Sequence, residues 1–152
     1  VRGGGGGAVW SGCGKGARID LGGARGTRVN ACHPAPIDYK GDALGVAGSE
    51  AGFMIAGEGH TIYLTGDTTI MADMGWMGEY FAPDIGILCA GGHYTMDMKM
   101  AAWAAKKYFA FKTVIPSHYR TFPLLAQSAA DLKAGLPGVD VIEPEVLKPI
   151  VI

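Results

Sequence analysis

The sequence predicts an α/β domain in which sequential strands lie parallel and helices cover one face of a mixed sheet. Three observations predict it. Short, strongly apolar runs at residues 61–65 (TIYLT), 85–89 (IGILC) and 113–116 (TVIP) read as buried strands. Between them the apolar residues fall at helical spacing, Ile70, Met74, Met77 and Phe81 in one segment and Ala101, Ala105, Tyr108 and Phe109 in the next. Strand, helix and strand in alternation make crossover units, and these align their strands in parallel. With 152 residues the chain is long enough for one domain with a core and too short for two ordinary ones.

Residues 1–26 are dominated by glycine and read as an irregular segment ahead of a domain over residues 27–152. The GxxxxGK[ST] order of a phosphate-cradling loop is absent there. Residues 27–31 (TRVNA) form a short strand that stops at Cys32-His33-Pro34, and residues 34–50, rich in Pro, Gly and Asp, read as a long loop of the kind that walls a pocket. Residues 53–56 and 61–65 flank Gly57-Glu58-Gly59-His60, a four-residue hairpin turn that leaves His60 exposed and without a role. A helix then runs from Ile70 to Phe81, weakened by Gly75 and Gly78 and ended by Pro83.

The second helix extends from Thr95, as N-cap, through Phe109, with Asp97 in its first turn and Lys99, Lys106 and Lys107 on a solvated face. A third helix is expected over residues 125–134 and a last strand over 139–142, with the tail VLKPIVI a candidate for one more.

Thirteen basic residues against fourteen acidic ones leave no electrostatic footprint for nucleic acid or an anionic membrane. No run approaches the roughly 18 apolar residues of a membrane span. Cys13, Cys32 and Cys89 are odd in number and lack CxxC spacing, so they read as small buried hydrophobes in a reducing intracellular compartment, cytoplasm or organelle matrix. The start, VRGGGGGAVW, has neither a Met nor the layout of a signal peptide.

Parallel strands deliver their C-terminal ends to one edge, where α/β sheets build their chemistry. Asp67, His93 and His118 follow the three apolar strands, and two antiparallel reversals return His33 to the same edge. Singly, such an Asp caps a turn or helix and such a His makes a structural hydrogen bond. Together, two or three imidazoles and a carboxylate form a nitrogen/oxygen site for zinc or a similar divalent ion, and the matching chemistry is hydrolysis by a metal-activated water.

Three strings extend this reading: GHTIYLTGDT, PDIGILCAGGHYTM and VIPSHYRTFP. In this order and spacing, from about residue 27 to residue 122, they resemble the later half of metal-dependent hydrolases of the metallo-β-lactamase superfamily. The branch is that of ascorbate-phosphate lactonase and of the phospholipase D acting on N-acyl phosphatidylethanolamine. The resemblance implies His33, Asp67 and His118 as metal ligands, with Asp67 bridging two metals and Asp67 and His118 at the catalytic centre. It places His93 beside the site as a substrate contact or a structural residue, and Tyr119 on the substrate side. Zinc is the implied metal, with manganese or iron as alternatives.

The family's first half carries a His-x-His-x-Asp-His loop with the remaining ligands, and no such string occurs here. The family fold is an αββα sandwich with one sheet from each half, so this chain is expected to present an open sheet face. That face calls for a protein partner or a further segment to cover it. Two functions follow: an incomplete hydrolase acting on a small-molecule ester, lactone or phosphodiester, or an inactive subunit with a structural role. A free-standing one-metal binder is a third.

Overall fold

The computed structural model describes residues 14–34, 36–39, 43–46 and 48–152, with the backbone alone over 36–39 and 43–46. The described residues form β1 (Arg18–Asp20), β2 (Ala24–Asn30), β3 (Pro36–Tyr39), β4 (Ala43–Val46), β5 (Ala51–Gly57), β6 (His60–Leu64), α1 (Asp73–Phe81), β7 (Ile85–Cys89), α2 (Met98–Tyr108), β8 (Thr113–Ser117), α3 (Ala130–Gly135) and β9 (Asp140–Val141). A seven-stranded sheet has the order β1-β2-β5-β6-β7-β8-β9, and β3 and β4 pair separately. The pairs from β1 through β6 are antiparallel, and those from β6 through β9 are parallel. The sheet is mixed, as expected, because a two-residue turn joins β5 to β6 whereas helices join the later strands.

Side-chain alternation decides what each face buries. Register places Met54, Tyr63, Gly86 and Val114 in one row across β5, β6, β7 and β8. Met54, Tyr63 and Val114 are buried in one core with Met74 and Met77 of α1 and Ala101 and Ala105 of α2. Gly86 is required in that row, since a Cβ there would stand 2.9 Å from the Phe111 ring. Phe111 stacks on Phe109 at 4.7 Å between centroids, and Phe109 lies 5.2 Å from the ring of Tyr63.

The adjacent row, Phe53, Leu64, Ile87 and Ile115, points to the other face, and Phe53 is 40% exposed. This face is not left wholly bare by the chain. Ile150 and Ile152 border the same cavity as Ile55, Ile62 and Ile85, so the C-terminal tail lies along part of it, although the tail forms no strand.

Several local expectations are corrected. The segment read as irregular contains β1 and the start of β2, so a boundary after residue 26 cuts through a strand; residues 1–13 lie outside the described residues. The stretch read as a loop over 34–50 carries the β3–β4 hairpin, because Pro at the first position of a strand removes no needed donor. The turn between β5 and β6 is Glu58-Gly59, both at positive φ, and His60 opens β6.

The first helix starts at Asp73, after Ile70, and ends at a left-handed Ala82. The second helix is capped by Asp97, whose carboxylate accepts the Met100 N–H at 2.7 Å, and not by Thr95; a carboxylate at that place also meets the positive end of the helix dipole. The third helix spans only Ala130–Gly135. Cys89 is buried as expected, Cys32 is exposed, and both are free thiols.

At the N-terminal edge of the parallel strands, Asp84 holds three of them together. Its side chain accepts the Thr61 N–H at 2.8 Å and pairs with His60 Nδ1 at 2.7 Å, while its carbonyl accepts from Lys112 N–H and Thr113 N–H. Burial alone would raise the Asp84 pKa, but the Thr61 N–H and His60 outweigh it and the net shift is downward.

A depressed carboxylate contributes stability above its unfolded pKa of about 3.9 and loses it as pH falls through the lower folded value. Asp84→Asn is therefore expected to cost about 1–2 kcal/mol at pH 7. The difference from wild type should shrink below about pH 3.9 in urea titrations run as a pH series. Conversely, the hydroxyl of the fully buried Tyr63 has no hydrogen-bond partner. Removing an unpaired buried hydroxyl relieves a desolvation penalty, so Tyr63→Phe should stabilise the fold by about 1 kcal/mol in the same assay.

Candidate metal centre

Asp67 is carried out of β6 by Gly66, which has φ 60° and tolerates no side chain: a Cβ would stand 2.5 Å from Ala51 O. The segment between β6 and α1 is tied to its neighbours. Thr65 N–H donates to Ile87 O at 3.1 Å, and Thr65 Oγ1 accepts Cys89 N–H at 3.0 Å. Asp67 is left about half exposed, with 48% of its side chain accessible.

His118 leaves β8 in the left-handed region, φ 55°, and Arg120 follows at 66°. His93, after β7, is left-handed too at 45°. These are three of the six described non-glycine residues at positive φ. Such backbone costs free energy and gathers where a fixed side-chain direction is needed.

His118 Nε2 faces Asp67 Oδ2 at 3.7 Å, too long for a hydrogen bond. Its Nδ1 is buried with no protein partner. Two donors bound to one zinc at about 2.0–2.2 Å each lie no more than about 4.4 Å apart, so this separation admits a shared cation. An imidazole unpaired on one nitrogen and aimed at a carboxylate with the other suits a metal ligand better than a closed ion pair. Asp67 and His118 fit a divalent cation as two donors.

His33 is brought to the same edge but not into the same set. Its Nδ1 lies 2.6 Å from Pro34 O and its Nε2 3.0 Å from Tyr94 O, so both ring nitrogens face carbonyls. Among the described residues no group of three His, Cys, Asp or Glu side chains converges closely enough to hold a metal. The expected three-ligand set of His33, Asp67 and His118 is thus present as a pair plus one neighbour.

His33 and His93 line a cavity of about 510 Å³ with Cys32, Thr68, Tyr94 and Met100. The His93 and Tyr94 rings meet edge to face at 4.5 Å, and Tyr94 lies 6.3 Å from His118. Tyr94 was not singled out by the sequence, where the only signal for it was its place inside the GGHYTM string. Tyr119 is buried, and its hydroxyl donates to Glu143 at 3.3 Å. Burial holds the Tyr119 pKa above its ordinary value.

No family model matches the chain. It is 69% identical over 136 residues to a UPF0173 metal-dependent hydrolase of Paracoccus denitrificans, a match covering 90% of this chain and 59% of the relative. A UPF0173 metal-dependent hydrolase of Cereibacter sphaeroides is 66% identical over the same share of each chain. The chain thus spans less than two thirds of the length of these relatives.

Among solved structures, Igni18, a metallo hydrolase from Ignicoccus hospitalis, superposes with a TM-score of 0.73 at 29% identity, over 89% of this chain and 57% of that one. A Zn-dependent hydrolase of the metallo-β-lactamase superfamily from Thermotoga maritima gives 0.60 at 18% identity, over 86% and 69%, a likeness of fold alone.

The pair depends on how closely the loops after β7 and β8 approach. A Cβ on Gly91 would collide with His118 O and stand 3.4 Å from His118 Nδ1. Gly91→Ala is expected to push His118 away from Asp67, lowering divalent-metal affinity in a competition titration, and to cost about 1–3 kcal/mol of stability by overpacking. Over its matched residues this chain is similar in sequence to UPF0173 metal-dependent hydrolases, and it has the fold seen in the metallo-β-lactamase superfamily.

Proposed function

We propose that this chain carries the later, ligand-bearing part of a metal-dependent hydrolase, with Asp67 and His118 as two ligands of a divalent cation. The carrying observation is the 3.7 Å separation of His118 Nε2 and Asp67 Oδ2 at the C-terminal edge of the parallel strands. The names of the UPF0173 relatives support the same chemistry. Zinc suits one imidazole and one carboxylate, and manganese or iron would accept the same donors.

Bound there, the cation supplies Lewis acidity near neutral pH. Asp67 brings the negative charge that offsets it, and the left-handed turn at His118 holds the imidazole toward Asp67. The cavity between His33, His93 and Tyr94 is where an ester, lactone or phosphodiester would lie, with His93 and Tyr94 as its aromatic wall. His33 would serve as a further ligand only if freed from its contacts to Pro34 O and Tyr94 O.

The remaining ligands are proposed to come from a segment or partner that also covers the Phe53, Leu64 and Ile87 face. The resemblance implies a His-x-His-x-Asp-His loop for that role. A reducing compartment accords with the free thiols of Cys32 and Cys89. Among the described residues no helix is long and apolar enough to cross a membrane.

The test is elemental analysis and ester or phosphodiester hydrolysis by the protein made from its complete reading frame, for wild type, Asp67→Ala and His118→Ala. Near-stoichiometric metal in wild type is expected, and each variant should lose metal and activity by more than about 100-fold, beyond the range of outer-shell changes. A metal-free, inactive wild type found only within a larger assembly would instead favour the inactive-subunit reading.

A further inference from the structure

His33 and Asp67 leave strands that are not neighbours in the sheet. β5 lies between β2 and β6, which sets their carriers about 9–10 Å apart by strand spacing alone. Ligands of one metal centre must come much closer, so the two loops have to lean over the end of β5 and be held there. No ladder hydrogen bond can do this, because β2 and β6 share none.

Thr68 makes the link. Its side chain is fully buried, and its Oγ1 accepts the Cys32 N–H at 2.9 Å while donating to Thr69 O at 2.9 Å. One residue on, Thr69 N–H donates to Cys32 O at 3.0 Å. The loops are thereby joined by a two-bond bridge, one strut of which is a side-chain hydroxyl. A third strand is drawn in where Cys89 Sγ contacts Thr68 O at 3.4 Å. Cys32 directly precedes His33, and Thr68 directly follows Asp67, so the bridge stands one residue from each proposed ligand.

We propose that Thr68 is a positioning residue for the metal centre, its hydroxyl setting the distance between the His33 and Asp67 loops. The proposal rests on the hydrolase reading above. Only a hydroxyl of this shape both accepts from Cys32 and donates to Thr69. Valine matches threonine in volume and does neither, leaving the Cys32 N–H unpaired. Serine keeps both bonds.

The test uses cobalt(II) affinity, followed by its absorption spectrum, in the protein from its complete reading frame. Wild type, Thr68→Val, Thr68→Ser, His33→Ala and the Thr68→Val/His33→Ala double variant are compared, with a urea midpoint for each. Thr68→Val should weaken cobalt binding about 10–100-fold, the range for residues that orient a ligand, and Thr68→Ser should restore it to near wild type. In the His33→Ala background Thr68→Val should add little further loss, because the ligand it positions is gone.

An equal loss in that background would assign Thr68 to the general fold and overturn the proposal, as would wild-type affinity in Thr68→Val. Should the valine variant fail to fold, Thr68→Ala gives the same comparison. A wild type that binds no cobalt sinks the hydrolase reading itself. Binding that needs Asp67 but is indifferent to His33→Ala spares that reading and overturns only the role given to Thr68.

Discussion

Parallel pairing of β6, β7 and β8 is the constraint on which the site depends. It fixes which ends of three buried strands meet, and the candidate donors follow those ends closely, His118 directly after β8, Asp67 three residues after β6 and His93 four residues after β7. Apolar burial on the helix face secures the alignment: Met54, Tyr63 and Val114 sit in one row under Met74, Met77 and the alanines of α2. A slip of one residue in any strand would turn its buried row to the other face, so register and site geometry are enforced by the same core. Asp84 closes the opposite edge, binding the starts of the same three strands through its carboxylate and its backbone.

Past the strand ends, the order comes from close backbone approach and from strained dihedrals. At Gly66 and Gly91 the chain comes too near a neighbouring carbonyl for a Cβ, in one case Ala51 O and in the other His118 O. His93 and His118 take left-handed backbone that a side chain ordinarily avoids. Each costs something of order 1–2 kcal/mol, and the strands beneath are buried enough to hold them. The outcome is an imidazole turned toward a carboxylate at a distance neither a hydrogen bond nor solvent separation would choose.

The parts of this arrangement set by periodicity were legible in the sequence. Apolar runs gave the three parallel strands, and counting reversals returned His33 to their edge, because β2 and β6 share a direction through β5. Features set by a single dihedral or a single hydrogen bond were not legible. The left-handed turn at His118 has no compositional mark, and the choice of Asp97 over Thr95 as cap depended on where the extended residue fell. The β3–β4 hairpin was hidden by loop-forming composition. Tyr94 and Thr68 carry no metal chemistry of their own, and their importance lies in what they touch.

Two deficits among the described residues have the same address. Asp67 and His118 supply two donors where a tetrahedral catalytic zinc has three protein ligands. The row of Phe53, Leu64 and Ile87 offers apolar surface that the C-terminal tail only partly meets. Leu64 and Ile87 belong to the strands whose ends lead to Asp67 and to His93, so a layer packed on that row ends at the donor edge. On the proposed reading, burial of that face and completion of the metal shell are one event, and metal affinity becomes coupled to the packing of the second layer.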